Sequence, residues 1–211
     1  TTRMLQTDTS VASFWITNPT NDFVDNVAAG SDFYGIWYEL KEHPDGPSAT
    51  IDVCPMGNPL GTVTNNVAHS NIRFGLRIFI LASRMYPCDP VRNNTDPNDP
   101  WSYNPSQASV FQNFTIYKSK EDGVLSEETG NVVFDRFIIA ESFHAGVEFY
   151  IANMTKEAPG LTNSVIIGMS VNNAHSDTTN YTNGMAAAIT GRTGTYKLSN
   201  IKVYNFPAGS I

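Results

Sequence analysis

The segments DNVAAGSDFYGI, Asp25–Ile36, and NNVAHSNIRFGL, Asn65–Leu76, superpose with an offset of forty residues. Each carries Asn-Val-Ala, a glycine eight positions after the valine, and then a branched aliphatic. A phrase that returns at a fixed offset constrains the fold strongly, because each copy must find the same kind of neighbour. Within the phrase the apolar period is two: Ile72, Phe74, Leu76, Ile78 and Ile80 alternate with Arg73, Gly75, Arg77, Phe79 and Leu81. That is the period of a strand with one buried face. Anchored on the glycine, the same reading places Tyr34, Ile36, Tyr38 and Leu40 on one face and Phe33, Gly35, Trp37 and Glu39 on the other.

A third copy, FIIAESFHAGVEFYI, alternates Phe143, Ala145, Val147, Phe149 and Ile151 with His144, Gly146, Glu148 and Tyr150, and a fourth, TIYKSKEDGVL, surrounds Gly123. Gly123 to Gly146 is 23 residues, the length of one coil of a β-solenoid; the two earlier steps are about twice that and hold proline-rich excursions. Later stretches, NSVIIGMSVNN and YKLSNIKVYNF, keep the strand rhythm, and no convincing amphipathic helix interrupts it. The fold class expected is all-β: a right-handed parallel β-helix with long proline-rich lateral loops, forming one domain over residues 1–211. Ile36, Leu76 and Val147 should stack in its interior, and the Gly- and Asn-rich turns should use left-handed backbone positions.

A net charge of -7 leaves no broad basic surface, which argues against nucleic acid as a partner. No apolar run is long enough to span a bilayer, and TTRMLQTDTS is not a signal peptide, so no membrane insertion by this segment is expected. Sequons at Asn93, Asn113, Asn153 and Asn180 fit N-glycosylation but are no more than chance supplies in a chain so rich in Asn, Ser and Thr. Two cysteines, Cys54 and Cys88, leave the redox compartment open by number alone. The four histidines are scattered, without a metal-ligand motif, and no cofactor is expected.

FWITNPTNDFVDNVAAGSDFYGIWYEL, HPDGPS, PLGTVTNNVAHSNIRFGL and FIIAESFHAGVE resemble the parallel β-helix region of the fibrocystin and fibrocystin-like surface proteins and of the related cell-migration-inducing and cell-surface hyaluronidases. The match is densest from Ser13 to Leu76 and thins after Asn153. The resemblance implies an extracellular or cell-surface location, usually as one module of a much longer chain, and a disulfide between Cys54 and Cys88. The solenoid register agrees with that bridge, since both cysteines lie in excursions from neighbouring coils. TTRMLQTDTSVASFWIT enters the first coil without an amphipathic capping helix and LSNIKVYNFPAGSI ends in strand-like alternation, so further copies, or further segments of the parent protein, are expected to cover at least one end.

Aligning the glycines creates two outward columns: Phe33, Arg73, Glu121 and His144 two positions before them, and Trp37, Arg77, Leu125 and Glu148 two positions after. The first column offers an Arg73–Glu121 pair with His144 beside it, and the second a cation-π contact between Arg77 and Trp37. The plainer reading of the first column is a solvated charge ladder, and that of Trp37 a ring covered by a lateral loop. Trp37, His69, Arg73, Arg77, Glu121 and His144 are the candidates for carbohydrate contact. His69 matches a histidine of the hyaluronidase relatives, although a stacked turn histidine is its plainer role. Asp32, Glu39, Glu121, Asp122, Glu141 and Glu148 are available acids, but no matched pair of the kind glycoside hydrolysis needs can be picked from them. The expected function is a noncatalytic cell-surface or extracellular-matrix module with structural, adhesive or assembly roles. A hyaluronan-type polysaccharide-binding or depolymerising module, hydrolase or lyase, is the alternative.

Overall fold

The computed structural model describes residues 10–55, 58–79, 108–152, 158–168 and 187–206. Sixteen strands are present among them, and every pairing is parallel. They recur in threes. The first three are β1 Ala12–Ile16, β2 Phe23–Val24 and β3 Val27–Ala29, followed by β4 Tyr34–Glu39, β5 Val63–Thr64 and β6 Val67–His69. Next come β7 Phe74–Phe79, β8 Ser109–Gln112 and β9 Thr115–Tyr117, then β10 Val124–Thr129, β11 Val132–Asp135 and β12 Ile138–Ala140. The chain continues through β13 Ala145–Ala152, β14 Gly160–Ile167, β15 Ala187–Gly191 and β16 Lys197–Tyr204. One sheet runs β1-β4-β7-β10-β13-β15; the other runs β2-β5-β8-β11-β14-β12-β9-β6-β3, with the long β14 joining its two halves and also pairing with β16. Each strand therefore lies beside its counterpart from the next coil, as the repeated phrase demands.

The register carries the expected interior stack. Ile36 pairs with Leu76, Leu76 with Val124, and Val124 with Val147, and all four are fully buried. Beside them Tyr38, Ile78 and Phe149 fill the same core, which Phe111, Phe134, Ile116 and Ile139 complete from the other sheet. Each such side chain contributes roughly 1.5–3 kcal/mol on burial.

Two sharp turns per coil close the section, and both are left-handed. One is built at Asp25, Asn65, Asn113, Arg136, Asn163 and Asn200, with φ between 49° and 59°; the other at Gly30, Ser70, Lys118, Glu141 and Asn205, with φ between 54° and 72°. Asn and Asp dominate the first turn because they tolerate this conformation, and their side chains ladder between coils. Asn163 Nδ2 donates to Asp135 Oδ1 at 2.8 Å, and Asn200 Nδ2 donates to Asn163 Oδ1 at 2.9 Å. Inside the first turn the buried Asn66 accepts the Asn26 backbone N–H at 3.0 Å and donates to the Phe23 carbonyl at 2.8 Å.

Two sequence expectations are corrected here. The repeated glycines Gly35, Gly75, Gly123 and Gly146 are not left-handed; they are required because a Cβ would strike the carbonyl of the next coil, at 2.6–2.9 Å in each case. Strict alternation also breaks at these glycines. Tyr34 and Phe74 do not share the interior face with Ile36 and Leu76, but pack with Trp37 and Leu125 in a separate outer cluster. The positions of the missing glycine side chains point inward, at Ala68 and Ile116.

Of the expected proline-rich excursions, the first follows β4 and includes a short 3-10 turn at Gly46–Ser48. The second, with Cys88 and Asn93, lies outside the described residues, as do Asn153 and Asn180. Cys54 is partly buried in the first excursion, and the expected Cys54–Cys88 bridge falls outside what the structure describes. No helix among the described residues is long and apolar enough to cross a membrane.

Candidate functional site

The outer face of the β1-β4-β7-β10-β13-β15 sheet holds a cleft of about 440 Å³. Its long side follows the register: Arg77, Leu125 and Glu148 occupy successive strands at one level, which Trp37 and Trp15 continue beyond the cleft on one side and Thr190 on the other. The neighbouring level is the backbone ladder Phe33, Arg73, Glu121 and His144, joined by N–H to carbonyl bonds of 2.9–3.0 Å. Both outward columns read from the sequence are thus assembled side by side.

Arg73 Nε donates to both oxygens of Glu121 at 2.9 and 3.0 Å, and its guanidinium lies 5.0 Å from the centre of the Phe74 ring. Arg77 reaches Glu127 at 2.8 Å and the Tyr34 hydroxyl at 3.1 Å, and covers Trp37 at 5.3 Å from its centroid. Trp37 itself is only 7% exposed. What covers it on one side is Trp15, stacked at 5.2 Å and 9°, and of this pair Trp15 meets solvent, at 56% exposure. His69 is elsewhere: on β6, in the other sheet, stacked on Tyr117 at 4.7 Å and 4°, it has no place in the cleft.

His144 does not turn to Glu121. Its Nδ1 lies 2.7 Å from Asp122 Oδ1 and 3.9 Å from Glu148 Oε2, while Arg192 binds the other oxygen of Glu148. Asp122 and Glu148 are 2% and 4% exposed, and His144 is half-exposed. Burial above all, with the neighbouring Glu148 carboxyl, raises Asp122 to about 7 against the downward pull of His144. One nitrogen and two carboxylate oxygens of this trio all lie within 4.8 Å of one another. Arg192 and Tyr150 were not among the sequence candidates, and Asp122 was named only among the available acids, yet all three line the cleft.

Residues 1–76 match the CEMIP beta-helix family. Across 147 residues, 70% of this chain, the sequence is 32% identical to Fibrocystin-L of Mus musculus, of which the match spans 3%. Over 71 residues, 33% of the chain, it is 42% identical to Cell surface hyaluronidase CEMIP2 of Homo sapiens, spanning 5% of that protein. It is also 29% identical over 134 residues to Cell migration-inducing and hyaluronan-binding protein of Mus musculus, covering 54% of the chain and 9% of the relative. The chain is similar to the CEMIP beta-helix and to Fibrocystin-L. The resemblance seen in the repeated phrase is therefore borne out, and the segment matched is a small part of each of these relatives.

Proposed function

We propose that this chain is an extracellular β-helix module whose outer cleft binds polysaccharide. The observation that supports this reading is the lining of the cleft: over a floor made by the buried Tyr34 and Phe74 rings, fixed guanidinium and carboxylate groups surround the partly exposed Tyr150 ring, a mix of apolar surface and polar hydrogen-bonding groups that sugars use. The names of two relatives, a hyaluronidase and a hyaluronan-binding protein, point to the same ligand class. Charge refines it. Arg73, Arg77 and Arg192 are each held by a carboxylate, Glu121, Glu127 and Glu148 respectively, so the cleft has no uncompensated positive field. An uncharged or sparsely charged glycan suits it better than a dense polyanion.

The test is calorimetry of the full chain against defined neutral and acidic polysaccharides, with sizing of the products to separate binding from depolymerisation. Binding to a neutral glycan, weakened in Arg77→Ala, is the expected result. No binding across the panel would overturn the reading and leave the assembly role. That second role is supported by β16, which pairs with β14 and exposes Leu198, Val203 and Tyr204 along one outer strand. The extracellular setting and the Cys54–Cys88 bridge belong to the same proposal, as does right-handed winding, the hand strongly favoured for parallel crossovers. Glycopeptide mapping of protein from its native source should find at least one occupied sequon. Asn113 is the one described position and is exposed, although its amide already donates to Thr64 and accepts from Arg136.

A further inference from the structure

We propose that Asp122, His144 and Glu148 form a binding site for a divalent transition-metal ion of the zinc class. Two neighbouring strands deliver the ligands to one point: Asp122 two residues before β10, His144 immediately before β13, and Glu148 within β13. Their ligand atoms already converge within 4.8 Å, and two of the three residues are held almost completely out of solvent. A pair of buried carboxylates is expensive to maintain unless a cation compensates them. Arg192 supplies a single positive charge and occupies only Oε1 of Glu148, leaving Oε2, the oxygen facing His144, for a metal. That contact is the kind of supporting hydrogen bond that orients a ligating carboxylate.

The donor set selects the metal. Calcium takes six to eight oxygen ligands, whereas this trio offers one imidazole nitrogen and two carboxylates, a combination suited to zinc. Three protein ligands are also the number found where a coordination position is left open, and the open side here is the cleft.

The test needs no glycan and so is separable from the polysaccharide reading. The full chain, stripped with a chelator and dialysed, is titrated with zinc by calorimetry and its metal content measured after gel filtration, with calcium and magnesium run in parallel. One zinc per chain is expected, with affinity reduced more than about tenfold in His144→Ala and in Asp122→Asn, and unchanged in His43→Ala, a surface histidine outside the cleft. Circular dichroism checks that each variant is folded. Should Asp122→Asn not fold, the half-exposed His144 still decides. Absence of zinc binding by the wild type, undiminished binding in folded His144→Ala, or a preference for calcium would overturn the proposal.

Discussion

Gly123→Ala separates two explanations of the repeated glycines that predict opposite signs. If Gly123 only needed an ordinary backbone conformation, alanine would stabilise the chain by about 0.4–1 kcal/mol, by restricting the unfolded state. In the structure a Cβ at this position lies 2.6 Å from the Gly146 carbonyl oxygen and 2.6 Å from Ile139 Cγ2, with Ser142 Oγ at 3.0 Å. The carbonyl cannot yield alone, because the coils here are tied by Gly123 N–H to Ala145 carbonyl at 2.9 Å. Forcing one methyl group into such packing costs about 1–3 kcal/mol, which exceeds the entropic gain. A net loss of about 1–2 kcal/mol corresponds to a fall in Tm of roughly 2–4 °C per kcal/mol for a chain of this size. Thermal and urea unfolding of the full chain would measure it, with Gly30→Ala as the contrasting case. There φ is 72° and nothing lies within 4 Å, so the expected penalty, about 1–2 kcal/mol, is conformational rather than steric. A Gly123→Ala chain that unfolds at or above the wild-type midpoint would refute the close-approach explanation.

Leu76→Ala, in the centre of the buried stack, should cost about 2–5 kcal/mol in denaturant unfolding. Burial tends to raise the Asp135 carboxyl, but hydrogen bonds from Asn163 and Thr162 and the charge of Arg136 outweigh it, so the group is held below its ordinary value. Its contribution to stability is therefore present above the unfolded pKa and lost as pH falls through the folded one. The advantage of wild type over Asp135→Asn should accordingly shrink below about pH 4, and an advantage that grew on acidification would contradict the sign. A double-mutant cycle on Arg73 and Glu121 should give a coupling of only about 0.2–1 kcal/mol, since both side chains are more than a third exposed. Nonreducing mass analysis of native protein should find Cys54 and Cys88 bridged; two alkylatable thiols would refute the bridge.

The fold was legible because a stack of parallel coils writes its period into the chain. Offsets of 40, 48 and 23 residues between the aligned glycines are the offsets of the strand registers Ile36 to Leu76, Leu76 to Val124 and Val124 to Val147. Unequal excursions did not hide that, since glycine marks the same corner each time. The second left-handed turn was less visible. Ser70, Lys118 and Glu141 adopt it with φ near 55°, and none of these residue types advertises the conformation.

The site was half legible, and the half that was missed has a single cause. Period-two alternation counted back from Val124 puts Asp122 on the interior face, so no outward column drawn from the sequence contained it. At each repeated glycine the phase slips: the bare Cα turns inward at the corner and the residue before it turns out, which brings Tyr34, Phe74 and Asp122 to the rim of the cleft. The slip is possible only where there is no Cβ to strike the neighbouring carbonyl, so the steric demand that conserves the coil spacing within this chain also places the aspartate. His144 and Glu148 were correctly set on the outer face, but without Asp122 they looked like rungs of separate charge ladders. Repeating the phase correction coil by coil gives Tyr34, Phe74, Asp122 and Ala145 as the third outward column, with the aspartate one strand from both His144 and Glu148. The chemistry of this face thus depends on a backbone irregularity that hydrophobic periodicity treats as noise.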